Sequence, residues 1–432
     1  MEKNLFRVIY ANGADELALI SDMKKRAGEA GEAITAAVQS IINDVKKDSF
    51  TAVSEYSLRF DKAEPYEITE KQLTKAYESC DRKLIGALNA AAANIRSYHE
   101  RMLVSSWGYE REKGAFTGQI VSPLQKVGIY VPGGTAAYPS SVLMNAVPAK
   151  VAGVGEVIMV TPPGGNLNHA VLAAAKIAGV DRVIAVGGVQ AIAALAFGAG
   201  FIPKVDKITG PGNAYVAAAK RLVFGAVDID MIAGPSEVLV IADETADPSY
   251  VAADLLSQAE HDALASAILL TTSDKLALAV AEEIARQSAR LKRAEIMEKS
   301  LSSFGAAIVC KTLSDAAELA NRIAPEHLEI MTEDPRALLP EIKNAGAVFL
   351  GAYSPEPLGD YMAGPSHVLP TSGTSRFFSP LSTDSFLKKT SVIEYSKEQL
   401  IRLADQIELL AEAEGLGAHA NAVALRRKEG QK

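Results

Sequence analysis

From about residue 127 onward, short apolar runs alternate with alanine-rich stretches that are long enough to form helices. Strands separated by helices of this length are typical of βαβ units, and therefore of a parallel sheet. The runs are numerous enough for two such sheets. The predicted strands are Val127–Val131, Glu156–Val160, Arg182–Val186, Val238–Ile241, Ala267–Leu270, Ala306–Val309 and Ala347–Leu350.

The regions on either side of this core have different patterns. Residues 13–102 are rich in Ala, Glu, Lys and Leu, with Pro65 as the only proline, which favours helix. Residues 107–126 carry Gly, Thr and Val in a pattern nearer to β-hairpins. The tail from about residue 397 is helical again, and we expect it to pack on something other than the sheets, such as a second subunit.

Composition narrows the class of protein. A chain of 432 residues is too long for one compact core, so two large domains are expected. The net charge of -8, without a basic patch, disfavours nucleic-acid binding. Cys80 and Cys310 lie far apart in the sequence, as expected for unpaired cysteines in a reducing compartment. The first ten residues lack the apolar stretch of a signal peptide, so we expect the protein in the cytoplasm. The uncharged segment 183–203 is interrupted by glycines, which favours a buried βα unit over a membrane span.

One short sequence occurs twice. Ala233–Leu239 and Ala363–Leu369 are identical at six of seven positions. A Gly-Pro-Ser turn before an apolar run is a common way to enter a strand, which would explain the repeat without shared ancestry. Duplication or a shared site architecture is the alternative that we favour.

The six histidines of the chain are placed unusually. His261, His327 and His367 each lie in a short cluster with carboxylate or amide side chains. Imidazole nitrogen and carboxylate oxygen are ligands that zinc accepts, and histidine is the side chain best suited to take a proton near neutral pH. This placement predicts a metal-bearing catalytic site.

Two of these clusters have spacings that suggest ligands. Gln258 and His261 lie three apart in a helix-like stretch, so that both could bind one metal ion, although a solvated polar face has the same spacing. Asp360 follows Pro355 and Pro357, which predicts a loop rather than a regular helix. Catalytic groups are often placed on such loops.

Glu326 and His327 stand directly before an apolar, strand-like run. Adjacent residues of a strand point to opposite faces, so only an irregular backbone would let both serve one site. A surface ion pair is the alternative for this acid and imidazole.

Three glycine-rich turns each follow a predicted strand and precede a helix. They are Val131–Thr135, Val186–Gln190 and Thr209–Asn213. Backbone N–H groups at such turns can bind the phosphates of a nucleotide. None of the three is GxGxxG, and a tight βα turn alone would explain any one of them.

Together these segments resemble one family, histidinol dehydrogenase, the last enzyme of histidine biosynthesis, over residues 25–428. The stretches that carry the resemblance are VGIYVPGGTAAYPSSVLMNAVPAKVAGV from Val127, VGGVQAIAALAFG from Val186, KITGPGNAYVAAAK from Lys207, AGPSEVLVIAD from Ala233, DLLSQAEHD from Asp254, APEHLEI from Ala324, GDYMAGPSHVLPT from Gly359 and EGLGAHANAV from Glu414.

The resemblance implies a ligand set and roles for individual residues. The implied ligands of one zinc ion per subunit are Gln258, His261, Asp360 and His419, and the zinc would chiefly orient the substrate. His327 matches the general base that removes the alcohol proton, and Glu326 matches the residue that activates water against the aldehyde. The implied substrate contacts are Ser236, Gln258, His261, His327, Asp360, His367, Glu414 and His419, and the implied NAD contacts are Tyr130, Gln190 and Asn213.

The implied reaction is a four-electron oxidation. L-Histidinol gives L-histidinaldehyde, which is hydrated and oxidised to L-histidine, and each step reduces one NAD. The implied fold is α/β, with two incomplete Rossmann-like parallel-sheet domains and small helical N- and C-terminal appendages, in an intertwined homodimer. The expected parts are an N-terminal segment at 1–25, a zinc domain at 26–108 and 237–381, an NAD domain at 109–236, and a tail at 382–432 exchanged with the partner subunit.

Two rival functions remain open at this point. A paralogous zinc- and NAD-dependent dehydrogenase of the same fold could oxidise another primary alcohol, such as a sulfonated propanediol, because fold alone does not fix the substrate. The presence of Ser236, His367 and Glu414 together argues against this rival. A zinc-stabilised binding protein is the second, but structural zinc sites are usually closed and rich in thiolates.

Overall fold

A computed structural model describes residues 5–26, 31–133, 138–164 and 167–428 of the chain. The chain divides into two compact units. The first unit contains the chain up to Met102 and residues Leu124–Phe386, and the second contains Leu103–Pro123 and the chain from Leu387 onward. Among the described residues, no helix has both the length and the apolar character that a membrane crossing requires.

The strands in chain order are β1 (Arg7–Tyr10), β2 (Tyr66–Ile68), β3 (Trp107–Glu112), β4 (Ala115–Pro123), β5 (Lys126–Tyr130), β6 (Glu156–Thr161), β7 (Arg182–Ala185), β8 (Lys207–Thr209), β9 (Asp228–Ile229), β10 (Glu237–Ala242), β11 (Ser266–Thr271), β12 (Gly305–Val309), β13 (His327–Met331), β14 (Ala347–Leu350) and β15 (Leu387–Tyr395). The helices are α1 (Asp15–Arg26), α2 (Glu32–Asp48), α3 (Phe50–Asp61), α4 (Glu70–Ser79), α5 (Arg82–Glu100), α6 (Pro139–Ala152), α7 (His169–Ala178), α8 (Gly188–Phe197), α9 (Ala214–Val223), α10 (Pro248–Ala259), α11 (Asp274–Ser288), α12 (Ala294–Phe304), α13 (Leu313–Ile323), α14 (Pro335–Leu338), α15 (Glu356–Tyr361), α16 (Lys397–Ala413) and α17 (Gly417–Lys428).

The first sheet of the first unit has the strand order β2-β7-β6-β5-β8-β9. All of its pairs are parallel except β2 with β7. One face is covered by α2, α3, α8 and α9. Helix α2 packs there because its buried residues, Val38, Ile41, Ile42 and Val45, recur at the spacing of one helical face.

The second sheet has the order β1-β12-β11-β10-β13-β14 and is parallel throughout. Side chains of β10 alternate between two cores: Val238 and Val240 face the helices α10 to α12, whereas Leu239 and Ile241 face α1 and α13. Both faces of a parallel sheet are covered in this way, which explains why its strands are nearly continuous apolar runs.

The second unit is built on an antiparallel sheet of order β15-β4-β3. Helices α16 and α17 follow β15 in the chain and pack against each other. A hairpin within residues 107–126 and a helical tail from about residue 397 were both predicted, and both are confirmed.

The α/β class with two parallel sheets is confirmed, and each predicted strand is present with ends shifted by at most a few residues. The packing differs from the expected domain division in two respects. Residues 7–10 form an edge strand of the second sheet, and residues 32–100 pack on the first sheet, not on the second with which they were grouped. How the chain divides into independently folding domains stays a prediction.

The loop predicted around Asp360 is wrong, because Asp360 lies in helix α15. Pro355 is the N-cap of this helix and Pro357 lies in its first turn, where the N–H groups have no helical partner, so that proline is tolerated. The duplicated heptapeptide also behaves differently at its two positions. The first copy leads into β10, whereas the second copy, 363–369, is not followed by a strand.

Candidate active site

The candidate site lies at the amino ends of two neighbouring strands of the second sheet. His327 is the first residue of β13, Glu237 is the first residue of β10, and the two strands pair in parallel. Helix α10 runs back from the carboxyl edge of the sheet, so its last turn brings Gln258 to this amino edge. His261 follows two residues after the helix ends, so only part of the predicted helix-like stretch is helical.

The ring of His327 is fixed by one main-chain contact. Its Nδ1 lies 3.0 Å from the carbonyl oxygen of Glu237, which can only accept a hydrogen bond, so Nδ1 carries the proton. The other ring nitrogen, Nε2, is buried without a hydrogen-bond partner. Burial lowers the pKa of His327 to about 4, so the imidazole is neutral at pH 7. This tautomer leaves the lone pair of Nε2 free to accept a proton.

Glu326 lies just before β13, where the backbone has not yet adopted strand geometry. Its Oε2 accepts a hydrogen bond from the main-chain N–H of Glu237 at 2.9 Å and lies 3.6 Å from Nδ1 of His327. The predicted conflict between neighbouring side chains is therefore avoided, and both residues line one cavity. Burial raises the pKa of Glu326 well above its ordinary value.

A carboxylate that the sequence analysis missed lies opposite His327. Glu356 and Asp360 are one turn apart on α15, and their side chains share a hydrogen bond. Candidate ligand atoms of His327, Glu356 and Asp360 all lie within 4.8 Å of one another. The i,i+4 spacing of Glu356 and Asp360 would have revealed this pair if the segment had been recognised as a helix.

Both carboxyl groups titrate abnormally. Burial, followed by the neighbouring Asp360, raises the pKa of Glu356 to about 7. Burial likewise raises the pKa of Asp360 to about 6. Two carboxyl groups in such contact disfavour each other's ionised form, and a bound cation would favour it.

Two further acidic residues, Glu329 and Asp254, lie next to Glu356. The main-chain N–H of Glu356 donates to Oε1 of Glu329 at 2.8 Å, and the carboxyl group of Glu329 is hydrogen-bonded to that of Asp254. Burial raises the pKa of Asp254 to about 6 and that of Glu329 well above its ordinary value. These two groups therefore hold a proton between them at a pH where ordinary carboxyl groups are ionised.

One cavity of about 440 Å³ gathers most of the predicted site residues. On the side of the second sheet it is lined by Ser236, Gln258, His261, Glu326, His327, Glu356, Asp360 and His367. On the other side it is lined by loops that follow strands of the first sheet, including Asn213. The cavity thus joins the amino edge of one sheet to the carboxyl edge of the other.

The donor set in this cavity fits a zinc ion. Gln258 is 1% exposed, and its Oε1 has no hydrogen-bond partner among the residues that the structure describes. A buried amide oxygen without a partner is costly unless a ligand occupies it. His261 and Asp360 line the same cavity and offer an imidazole nitrogen and a carboxylate oxygen, which are ordinary zinc ligands.

The predicted NAD contacts lie at the carboxyl edge of the first sheet. The Tyr130 hydroxyl accepts from the main-chain N–H of Gly188 at 3.2 Å, and Gln190 is buried with its Oε1 unpartnered. Asn213 caps α9 by accepting from the N–H groups of Tyr215 and Val216 at 3.1 Å. Of the three predicted contacts, Asn213 lines the cavity, whereas Tyr130 and Gln190 lie outside its lining.

Close contacts and hydrogen bonds fix the conformation of the turn after β8. Gly210 has a φ of 111°, and a Cβ at this position would lie 2.1 Å from the carbonyl oxygen of Tyr130. Its N–H donates to Asp230 at 2.8 Å, and its carbonyl accepts from Lys220 at 2.9 Å. Lys220 and Asp230 are themselves a buried ion pair. Two residues of the glycine-rich stretch Val131–Thr135, Gly134 and Thr135, lie outside the described residues.

The last two predicted site residues belong to the second unit. Glu414 is the residue at which α16 ends, and His419 lies in α17. Both are exposed. Their predicted roles in zinc and substrate binding stay predictions.

Comparisons with known proteins identify the family to which the chain belongs. The family model for histidinol dehydrogenase matches residues 24–427. Histidinol dehydrogenase of Clostridium acetobutylicum is 53% identical over 430 residues, which are 99% of this chain and 100% of that protein. The Bacillus subtilis protein of the same name is 53% identical over 96% of this chain and 98% of its own length. The crystal structure of histidinol dehydrogenase from Elizabethkingia anophelis has a TM-score of 0.94 and 37% identity over the whole of both chains. The chain belongs to the histidinol dehydrogenase family.

Proposed function

We propose that this enzyme oxidises L-histidinol to L-histidine through L-histidinaldehyde, with reduction of two NAD, as the last step of histidine biosynthesis. The observation that carries the proposal is the single cavity in which a neutral, correctly oriented His327 lies beside Glu326 and the donor group Gln258, His261 and Asp360. Membership of the family supports the choice of substrate.

His327 acts as the base for the alcohol proton. Its Nδ1–H is held by the carbonyl of Glu237, so Nε2 takes the proton of the substrate hydroxyl. Bound NAD would supply the acceptor for the hydride that leaves the same carbon. Because burial keeps the pKa of His327 low, the ring passes its new proton on readily and returns to the neutral form.

Glu326 serves the second oxidation, in which water adds to the aldehyde. Burial raises the pKa of its carboxyl group, so the ionised form is a stronger base than an exposed glutamate. One carboxylate oxygen accepts from the N–H of Glu237, which restrains the orientation of the group and leaves the other oxygen to take the proton of the attacking water.

We place one zinc ion per subunit on Gln258, His261 and Asp360, with His419 as the fourth ligand. Zinc held there would supply a positively charged centre that attracts neutral nitrogen donors of the substrate. The buried, unpartnered Oε1 of Gln258 supports this assignment. Ser236 and His367, which line the same cavity, are placed to contact the substrate.

We place NAD along the carboxyl edge of the first sheet, at Tyr130, Gln190 and Asn213. This is the edge at which nucleotides bind in open α/β sheets. The loop Gly210–Asn213 supports the assignment, because it also lines the cavity and would bring the nicotinamide ring to the substrate.

The remaining residues, Glu414 and His419, are assigned to the site of a second copy of the chain. Their exposure at the end of α16 and on α17 is consistent with a homodimer in which the tails are exchanged. A cytoplasmic location fits the two unpaired cysteines, Cys80 and Cys310.

Product stoichiometry tests the proposed function. Zinc-loaded protein is incubated with limiting L-histidinol and excess NAD, and NADH and L-histidine are quantified together. We expect two NADH and one L-histidine for each L-histidinol. One NADH with free aldehyde would contradict the four-electron assignment, and no turnover by zinc-loaded dimer would contradict the substrate.

A further inference from the structure

Glu237 supports both catalytic residues through its main chain. Its N–H donates to Oε2 of Glu326 at 2.9 Å, and its carbonyl accepts from Nδ1 of His327 at 3.0 Å. The orientation of the acid and the base therefore depends on where the first residue of β10 is held. A side chain that anchors this residue would control both catalytic groups together.

That anchor is Arg26, the last residue of α1. Its Nη2 lies 2.8 Å from Oε1 of Glu237, and the two side chains are 2% and 4% exposed. The same guanidinium group donates to the hydroxyl of Ser266 at 3.0 Å and to the carbonyl of Leu264, and it stacks over the ring of Phe304 at 4.9 Å. Arg26 thus ties the start of β10 to the start of β11 and to the end of α12.

The ion pair between Arg26 and Glu237 should affect the geometry of the site more than the stability of the fold. A buried ion pair gains little net free energy, because desolvation of the two charges offsets their attraction. Removal of one partner is nevertheless damaging, since it leaves an uncompensated buried charge. Here the group left without its partner would be the carboxyl group of Glu237, which is almost completely buried.

We propose that Arg26 and Glu237 are a positioning pair that fixes Glu326 and His327 for both oxidation steps. Neither residue lines the cavity, so neither touches the substrate. The inference rests on the proposed function, because it assigns a consequence for turnover to a contact outside the cavity. It also makes a claim about the ring of His327 that holds without any substrate.

The first test is Arg26→Leu in the full-length, zinc-loaded protein. We expect kcat per bound zinc to fall about 10–100-fold, the effect of misplacing catalytic groups by a fraction of an ångström to an ångström. We expect KM for L-histidinol and the zinc content to change little, because the ligands Gln258, His261 and Asp360 do not contact Arg26. Arg26→Lys should recover part of kcat, since the charge returns without the full set of hydrogen bonds.

A double variant separates positioning from stability. Arg26→Leu with Glu237→Gln removes the uncompensated charge, so its unfolding temperature should recover toward wild type while kcat stays low. Arg182→Leu is the matched control. Arg182 forms an ion pair with Glu67 at 2.7 Å, and it is the first residue of β7 in the first sheet, at the strand end that lies away from the cavity. This control should lower the unfolding temperature and leave kcat unchanged.

Two outcomes would overturn the proposal. One is a kcat of Arg26→Leu within about twofold of wild type, and the other is a kcat that recovers with stability in the double variant. Failure of the proposed function is recognised separately, because the wild type would then not oxidise L-histidinol. In that case the nitrogen NMR signals of His327 decide: a changed Nδ1–H signal in Arg26→Leu, but not in Arg182→Leu, supports the positioning pair, and an unchanged signal refutes it.

Discussion

The side-chain amide of Gln258 turns its Nε2 toward Oε2 of Glu326, 3.5 Å away, and leaves its own Oε1 buried without a partner. The carboxylate of Glu326 thus helps to orient an amide whose oxygen is left without a partner. If Gln258 binds zinc as proposed, this contact connects the metal site to the proposed acid–base pair. The first prediction follows from it.

Gln258→Ala should weaken zinc binding by more than the roughly 10–100-fold that loss of an outer-shell partner costs, because the proposed function makes Gln258 a direct ligand. Zinc content after dialysis against graded chelator measures the effect. Gln39→Ala, on helix α2, is the control and should bind zinc like the wild type. Equal zinc affinity in Gln258→Ala and wild type would remove Gln258 from the ligand set.

Gly210→Ala should raise KM for NAD and destabilise the protein by about 1–3 kcal/mol or more, because a positive φ and a steric clash are combined. Its Cβ would lie 2.1 Å from the carbonyl oxygen of Tyr130. Gly225→Ala is the control, since Gly225 has a φ of 97° but no atom within 4 Å of the added Cβ. If both variants lose the same stability and bind NAD equally well, the close approach at Gly210 is unimportant.

Glu329→Gln should flatten the dependence of stability on pH. The raised pKa values of Glu329 and Asp254 mean that the folded state binds more protons than the unfolded state above about pH 4. Stability is therefore lost as pH rises through about 6, the folded pKa of Asp254, and beyond. Thermal unfolding at pH 5.5 and 8 should show a smaller loss in Glu329→Gln than in wild type.

The control for this prediction is Glu64→Gln at an exposed position, which should keep the wild-type dependence on pH. Glutamine at position 329 can still donate a hydrogen bond to Asp254, so the packing of the pair is preserved. A loss in Glu329→Gln as large as in wild type would show that this pair does not hold the extra proton.

Subunit mixing tests the exchanged tail. His327→Ala and His419→Ala should each be nearly inactive, and refolding them together in equal amounts should restore about a quarter of wild-type activity, because half of the dimers are mixed and each has one intact site. A chain that carries both substitutions should restore nothing when it is mixed with either single variant. No restoration in the first mixture would place His419 in the site of its own subunit.

Most of the fold could be predicted from the sequence because the signals are local. Continuous apolar runs such as 238–241 and 267–270 alternate with alanine-rich helices, and a strand buried on both faces requires that pattern. The side chains that pair within the candidate site were harder to predict. Glu356 was missed because Pro355 and Pro357 suggest a break, whereas a helix tolerates proline in its first turn.

Other parts of the site have no local signal at all. Arg26 and Glu237 are 211 residues apart, and nothing near either residue indicates that they meet in a buried ion pair. The use of the amino edge of the second sheet also departs from the general rule that open α/β sheets bind ligands at their carboxyl edge. It follows here from the return of α10, whose last turn contains Gln258, and from the start of β13 at His327.

The most direct test of the account is kcat for L-histidinol in zinc-loaded His327→Gln, measured with the zinc content of the same sample. Glutamine retains a hydrogen-bond donor for the carbonyl of Glu237 but offers no basic nitrogen. We expect kcat to fall by about 10²–10⁴-fold, the usual contribution of a positioned general base, with zinc still bound at one ion per subunit. A kcat close to wild type would contradict His327 as the base, and loss of zinc from the variant would contradict the ligand set by making His327 a metal ligand.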